Sequence, residues 1–447
     1  MKRLAVIAAV GALVLGAALP ALAQAPTVSF SGEWRVVGVT SDNLTDYKDT
    51  AGTANKDSRN FYAQRVRLFT TVTSADKKAK AVWGLEVGDV TWGLGGGANG
   101  AEFGGTGTRV GPSTGGELGA DGVAVETKQA YIWFEVPGIP NAGLTVGIQN
   151  VTVLATPSEF FSDDQAAIKF DWKSDQWDLQ LFTSKFEEGS LVNPDDVDAY
   201  GARFGINVAK DLRFTVEGMI VNTNNVPGSD FGDTYWVGGT VGTKVSDVAV
   251  DAAFVYGQRK LACAAASACT GANGERKGWG TIVGVRAPAG PLTVNGSAWY
   301  TSGDKTEAPG TATAGPLTTN TSDKMPTPEN QGSWYPRPLI AEAFAGHQTI
   351  GGPPGAGSPF YAELAGTYGV GGSALYSVMP ELTLGGGVAY VGATDAKGIF
   401  GDNVFEIDAG GFYTFNANLG LQMIASYLIP DTGDNAWSVI YRLRFAF

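Results

Sequence analysis

The sequence predicts an all-β protein: a transmembrane antiparallel up-and-down β-barrel of 18 strands. Three observations predict it: an apolar leader at the amino end, segments of alternating polarity along the rest of the chain, and a final strand that stops on a terminal Phe. After the leader, no run approaches the ~18 apolar residues that a membrane-spanning helix needs. Abundant Gly (63 residues) and aromatic residues (11%) suit hairpin turns and the aromatic girdles of barrels.

The leader, residues 1–23, predicts a cleaved signal peptide. Lys2 and Arg3 precede an almost wholly apolar stretch, residues 4–19, and residues 21–23 form an Ala-x-Ala cleavage site. The alternative is an N-terminal membrane anchor, but this stretch is short for a span and is followed by a proline. The leader predicts export through the periplasm, and a Gram-negative outer membrane is the destination that suits a barrel.

The remaining residues, 24–447, predict a single barrel domain whose strands carry one apolar and one polar face. The last strand illustrates the pattern, since Trp437, Tyr441 and Phe447 share the apolar face, and a soluble sandwich is the alternative for this strand alone. The predicted strands are 28–40, 59–73, 78–91, 123–136, 142–150, 166–173, 176–185, 198–209, 212–222, 233–245, 248–259, 278–287, 291–302, 360–378, 381–393, 403–415, 418–429 and 436–447.

Short and long connections alternate between these strands, as expected for periplasmic turns and external loops. The alternation of short and long connections holds along the chain until the last connection, 430–435, which is short. With both termini inside, the strand number has to be even. Eighteen satisfies this condition, and sixteen would apply if 166–173 or part of 360–378 did not span the membrane.

Two external loops are long, 92–122 and 303–359. The second contains nine prolines and cannot be the interior of a strand. We expect a flexible surface loop there, with a folded plug or lid as the alternative.

Arginines on the polar faces predict a water-filled interior. An arginine on the lipid face at mid-bilayer costs about 2–4 kcal/mol, so each of these side chains should point inward. Arg65 and Arg67, for example, lie opposite Val66 and Leu68 on their strand. The predicted pore-lining cations are Arg35, Arg65, Arg67, Arg203, Arg213, Arg286, Arg442 and Arg444.

Several segments resemble the homotrimeric outer-membrane porins of Desulfovibrio-type sulfate-reducing bacteria. They are Gly116–Ile132, Gln64–Arg67 followed by Gly84–Gly93, Ser31–Trp34, and Gly147–Gln149 with Asp163-Asp164. The resemblance covers about residues 28–190 and then thins to strand pattern and the terminal Phe. It implies a trimer of diffusion channels for small hydrophilic solutes. The cysteine-containing loop and the proline-rich stretch match no pattern of that family.

The third long connection, 151–165, predicts a constriction. A loop at this position in trimeric porins commonly folds inward, and this one carries Glu159, Asp163 and Asp164. Charges of opposite sign across the narrowest point would give selectivity. We therefore expect these carboxylates to face the arginines of the first two strands, with a solvent-facing acidic loop as the alternative.

No residue pattern predicts catalysis, a metal or a cofactor. His347 is the single histidine, so a zinc site or an ordinary Ser-His unit cannot form. Cys263 and Cys269 share one external loop and predict a small disulfide after export. Asp195, Asp196 and Asp198 lack EF-hand spacing and are read as a solvated acidic loop rather than a Ca²⁺ site.

The predicted function is passive: a general diffusion porin with a charged constriction. The alternative is a solute-specific channel for a sugar or an anion, and a barrel serving as a scaffold for adhesion or enzymatic work is a third, weaker hypothesis. Without the two cations of the leader, the net charge is (31 − 2) − 44 = −15, which excludes a nucleic-acid binder. The predicted partners are two further copies in a homotrimer, membrane lipid and lipopolysaccharide, small solutes and the barrel assembly machinery.

Overall fold

The computed structural model describes residues 25–43, 58–92, 125–153, 160–188, 196–223, 233–260, 275–302, 321–322, 367–394 and 403–447. The predicted signal peptide, most of the two long loops, Glu159, Cys263, Cys269 and His347 lie outside these ranges. In the described part of the chain, no helix is long and apolar enough to cross a membrane.

The described residues form one sheet that closes on itself. Its strands are β1 (Thr27–Asp42), β2 (Arg59–Thr73), β3 (Ala79–Thr91), β4 (Val125–Glu135), β5 (Ala142–Val153), β6 (Phe161–Lys173), β7 (Trp177–Glu188), β8 (Asp196–Ala209), β9 (Leu212–Thr223), β10 (Asp233–Val245), β11 (Val248–Lys260), β12 (Glu275–Ala289), β13 (Leu292–Thr301), β14 (Thr321–Ser322), β15 (Thr367–Met379), β16 (Leu382–Ala393), β17 (Asn403–Thr414), β18 (Leu419–Pro430) and β19 (Ala436–Ala446).

Eighteen of these strands make the barrel wall, each antiparallel to its neighbours. Strand β14 is a two-residue piece that runs parallel to the start of β12. Strand β1 pairs with both β2 and β19, which closes the barrel. The prediction of 18 antiparallel strands is confirmed. The two segments whose loss would have given 16 strands belong to β6 and β15, and both of these are strands of the wall.

The predicted connection 151–165 is mostly strand. Strand β5 continues to Val153 and β6 begins at Phe161, and the two pair along this whole length. The segment reads as a loop because it is polar, but its polar side chains bond across the two strands. Asn150 Nδ2 donates to Ser162 Oγ at 3.2 Å, for example.

The outer face of the barrel is apolar and is bordered by aromatic rings at both ends. At the end that bears the long loops, Trp279 stacks on Tyr300 with ring centroids 4.8 Å apart. At the end that bears the short turns, Trp172 packs edge-on against Trp177 at 4.9 Å. Aromatic rings at both ends of an apolar band are typical of transmembrane barrels. This outer face is therefore suited to lipid.

Close packing on the outer face requires glycine at position 38. The ring of Tyr441 lies directly over Gly38, where any Cβ would collide with it. The Tyr441 hydroxyl then donates to that of Tyr62 at 3.1 Å, so the tyrosine ties β19 to β2 across β1. Only glycine at position 38 leaves room for this contact.

Candidate functional site: the basic wall and the inward hairpin

Strands β19, β1 and β2 carry arginines on the inner face of the barrel. In β1 the side chain of Trp34 is 50% exposed on the outer face, whereas Arg35, the next residue, is only 5% exposed. Neighbouring residues of a strand point to opposite faces, so Arg35 points inward. We call the inner faces of these strands, with Arg35, Arg65, Arg67, Arg442 and Arg444, the basic wall.

The strand register brings three of these arginines into one row. Arg35 of β1 is the direct partner of Arg444 on one side and of Arg65 on the other. Directly opposite residues of antiparallel strands have Cβ atoms about 4.5–5.5 Å apart, and like charges at these positions destabilise a sheet. A row of three arginines therefore needs anionic groups nearby.

Two carboxylates on the inner face partly balance the basic wall. Glu33 accepts a hydrogen bond from Arg444 Nε at 2.5 Å. Glu86 of β3 is 7% exposed and pairs with Arg67, with Arg65 at 3.9 Å and with Lys128 at 3.6 Å. One buried carboxylate thus holds three cations from β2 and β4.

Two other predicted pore-lining arginines form a separate ion-pair group on β7, β8 and β9. Arg203 Nη2 donates to Asp178 Oδ1 at 2.8 Å, and Arg213 donates to the other oxygen of the same carboxylate. Arg213 also donates to Asn207 Oδ1 at 3.1 Å. Arg286 lies apart from both groups, exposed near the turn between β12 and β13, with Asn295 as its cross-strand partner.

Two of the three predicted constriction carboxylates, Asp163 and Asp164, lie in the described part of the chain, near the start of β6. Asp164 binds Lys128 Nζ at 2.5 Å and accepts a hydrogen bond from Gln129 Nε2 at 2.9 Å, so its direct cationic partner is a lysine of β4. Asp163 accepts hydrogen bonds from Gln165 Nε2 and from the Asp164 amide. The β3–β4 register slips beside Gly84, which leaves Lys128 as an extra residue between two paired ones. Such a bulge re-aims side chains.

The upper part of β5 and β6 leaves the barrel wall. Pairing between β4 and β5 stops at Ala130–Ile148, whereas β5 and β6 remain paired as far as Val153 and Phe161. We call the described residues of this pair, 149–153 and 160–165, the inward hairpin. The salt bridge of Lys128 to Asp164 spans the point where β5 separates from β4.

The inward hairpin contacts the inner face of β9 and β10. Phe160 packs edge-on against Trp236 of β10 with centroids 6.0 Å apart. Trp236 is 2% exposed, and its neighbours Tyr235 and Val237 are exposed on the outer face, so Trp236 points inward. Strand β5 also touches β9. A hairpin that starts beside β4 and meets inward residues of β9 and β10 has to extend into the lumen.

Sequence reasoning did not single out Glu86, Lys128 or Asp178. Glu86 alternates with Leu85 and Val87 in β3, so the rule that placed the arginines also applies to it. Asp178 follows Trp177 in the same way. Lys128 carries no comparable signal, because its position depends on the bulge.

Comparison with known proteins gives a fold and no family. No protein-family profile matches the sequence, and no curated protein sequence matches it. Solved structures do match. OccAB4 of Acinetobacter baumannii aligns with a TM-score of 0.54 and 13% identity, over 96% of this chain and 99% of that one.

Two channels of Pseudomonas aeruginosa align similarly. OccK8 (OprE) has a TM-score of 0.55 and 12% identity, and OpdK in its structure with vanillate has 0.53 and 10%, each over 94% of this chain and 98% of the other. The chain therefore has the fold of bacterial outer-membrane channels. At these identities the likeness assigns no family, and membership of the Desulfovibrio-type porins stays a prediction.

Proposed function

We propose that the protein is an outer-membrane channel through which small hydrophilic anions pass passively, with organic carboxylates preferred. The closed barrel, its exposed apolar outer face and its two aromatic borders support the membrane location. The charged side chains on the inner face support a water-filled path, because charges are not stable against an apolar interior.

The row Arg444–Arg35–Arg65 is the observation that carries the preference for anions. Three guanidinium groups stand side by side on neighbouring strands, facing inward. Glu33 and Glu86 offset part of this charge, but the basic wall still carries five arginines against these two carboxylates. A guanidinium group binds a carboxylate through two parallel hydrogen bonds, which makes such a row a suitable track for carboxylate solutes.

The comparisons support carboxylates as the class of solute that the channel prefers. OpdK, which shares the fold, has a structure with vanillate. Vanillate is a carboxylate, and we transfer only that chemistry to this chain. A general diffusion porin, which would pass solutes by size alone, and a sugar channel are the alternatives that the experiment separates.

Planar-bilayer recording on the purified protein tests the proposal. We expect a reversal potential of the anion-selective sign in a KCl gradient, and a conductance that millimolar vanillate reduces. The reversed-charge variant Arg35→Glu/Arg65→Glu should become cation-selective and lose the vanillate effect at least tenfold. Arg286→Glu is the matched control, because Arg286 is inward-facing but lies apart from the row.

The outcomes separate the hypotheses. Ohmic conductance that neither vanillate nor glucose changes would favour the general porin, and block by glucose alone would favour a sugar channel. A wild-type channel that prefers cations would refute the proposal. Equal effects of the control and the row variant would remove the row from the permeation path.

We also propose the assembly that follows from the predicted family. The chain would be exported through the periplasm, inserted by the barrel assembly machinery and surrounded by lipid and lipopolysaccharide as a homotrimer. Membrane fractionation tests the location, and native mass spectrometry of the detergent-extracted protein tests the trimer. A monomeric mass across gentle detergents would refute the trimer and leave the channel proposal intact.

A further inference from the structure

Strand β17 carries two carboxylates on its inner face that have no cationic partner among the described residues. Glu406 and Asp408 are 0% and 3% exposed, respectively, and are close enough to interact with each other. Within the described residues, none of their four carboxylate oxygens has a hydrogen-bond partner at ordinary distance and angle, although Ser426 and Glu406 lie near enough to Asp408 to interact with it. Two adjacent buried carboxylates cannot both remain ionised without a compensating positive charge. The pair therefore needs a cation or a bound proton.

Serine hydroxyls extend the site across the neighbouring strands. Ser426 of β18 is the direct cross-strand partner of Asp408, Ser438 of β19 is next in the row, and Ser41 of β1 follows. All three are at least 96% buried on the inner face, and their hydroxyl oxygens have no hydrogen-bond partner in the described part of the chain. Unsatisfied buried oxygens of this kind indicate that something else binds them.

On its other side, Asp408 lies beside a glycine, where room is limited because Ser373 Cβ of β15 comes within 3.3 Å of the position a side chain would take. Its partner on β16 is Gly387, which has no side chain, and an ideal Cβ built there would lie 3.8 Å from Asp408 Oδ2. The oxygens of Glu406, Asp408 and Ser426 thus border a space that no neighbouring side chain on β16 fills.

We propose that Glu406, Asp408 and Ser426 bind one divalent cation of the calcium type. Two carboxylates match the double charge, and carboxylate and hydroxyl oxygens are hard ligands of the kind that Ca²⁺ accepts in variable geometry. Mg²⁺ usually keeps several waters, which this buried site would not easily hold. Among the described residues, no three acidic, histidine or cysteine side chains are placed to hold a metal ion, so the Ser426 oxygen would be the third protein ligand here.

A resident ion suits the site better than a passing solute. The side chains are nearly inaccessible, whereas a group that recognises a permeating molecule has to be reachable from the lumen. The proposal is independent of anion permeation, because the carboxylate pair and the basic wall share no residue.

The test is Ca²⁺ binding to the full-length mature barrel refolded in detergent after EGTA treatment. Isothermal titration should find one Ca²⁺ per chain and at least tenfold weaker binding of Mg²⁺. The isosteric variant Glu406→Gln/Asp408→Asn should lose Ca²⁺ binding. The control Asp171→Asn/Asp251→Asn removes two other inner-face carboxylates and should bind Ca²⁺ as wild type does.

Thermal unfolding adds a signature that a merely structural role would not give. In EGTA the Glu406→Gln/Asp408→Asn variant should unfold at a higher temperature than wild type, and with Ca²⁺ in excess this order should reverse. If that variant does not fold, Ser426→Ala serves instead and should weaken Ca²⁺ binding several-fold. Absence of Ca²⁺ binding by wild type, or unchanged Ca²⁺ binding by either variant, would overturn the proposal.

Discussion

Two buried glutamates on the inner face of this barrel stand in opposite electrostatic surroundings. Glu86 of β3 is 7% exposed and lies among three cations, Arg65, Arg67 and Lys128. Glu406 of β17 is 0% exposed and has another carboxylate, Asp408, beside it. The same residue type on the same kind of surface thus balances charge at one place and accumulates it at the other.

The difference shows that burial alone does not tell what a charged residue does. Removing Glu86 would leave three cations without their shared partner, whereas removing Glu406 would relieve a repulsion. Neutralising Glu86 should therefore lower the stability of the fold, whereas neutralising Glu406 should raise it.

The largest effect is expected for Glu86→Gln. A neutral amide leaves Arg65, Arg67 and Lys128 to repel one another, and breaking a buried ion pair on one side commonly costs 3 kcal/mol or more. We expect a loss of about 3 kcal/mol in the free energy of unfolding, measured by denaturant titration of the refolded barrel. A loss below that of the exposed control Glu135→Gln would show that Glu86 does not organise the cluster.

Glu406→Gln should have the opposite sign in the absence of divalent cations. Desolvation and the neighbouring Asp408 both disfavour the carboxylate, and neutralising such a group is often stabilising. We expect a gain of about 2 kcal/mol in EGTA, in the same denaturant titration. Destabilisation in EGTA would mean that Glu406 has a compensating partner and that the contrast with Glu86 is false.

Removing the salt bridge at the base of the inward hairpin should change the stability less than the two glutamate substitutions do, but it should clearly change the single-channel current. Lys128→Met and Asp164→Asn each remove one side of it, and a double-mutant cycle should give a coupling of about 1.5 kcal/mol. A hairpin released from β4 should increase the fluctuations of the single-channel current. Asp163→Asn, which leaves the salt bridge intact, is the control, and equal noise in all variants would refute the anchoring role.

The smallest effect concerns Asp76, in the turn between β2 and β3. Hydrogen bonds from Ser74 Oγ and the Lys78 amide lower the pKa of this carboxyl below its ordinary 3.8. A lowered pKa stabilises the fold above pH 3.8, and this contribution is lost as the pH falls through the pKa of the folded state. Asp76→Asn should lower the melting temperature slightly at pH 7 and not at pH 2, in paired melts. An equal shift at both pH values would exclude ionisation as the cause.

Most of the wall could be predicted from the sequence because each barrel strand repeats one rule. Alternate residues of a strand face lipid and lumen, so the neighbours Trp34 and Arg35 can be assigned to opposite faces from the sequence alone. The segment 151–165 misled this reasoning. Its polar residues resemble a loop, yet residues 151–153 pair with 161–163 as strands, and the apolar residues that alternate with the polar ones are buried.

The candidate site was less predictable because its contacts join distant parts of the chain. The inward direction of Arg35 and Arg65 follows from their own strands, but their adjacency to Arg444 depends on a register that closes the barrel. The partner of Asp164 depends on a bulge in β4 that leaves no sequence signature. The face on which a residue of a strand lies can be predicted from the sequence, whereas contacts that depend on the register between strands cannot.

The closure of the sheet has a kinetic consequence. The amide of Gly32 donates to the carbonyl of Phe447, the last residue, at 2.8 Å, and the amide of Phe447 donates back at 3.1 Å. Strand β1 therefore receives its second partner only when β19, far along the chain, is available. Because contacts so far apart in sequence form slowly, an edge of β1 stays available for most of the folding time. Escort by a chaperone or an insertion machine until the final residue arrives would keep that edge from pairing with another chain.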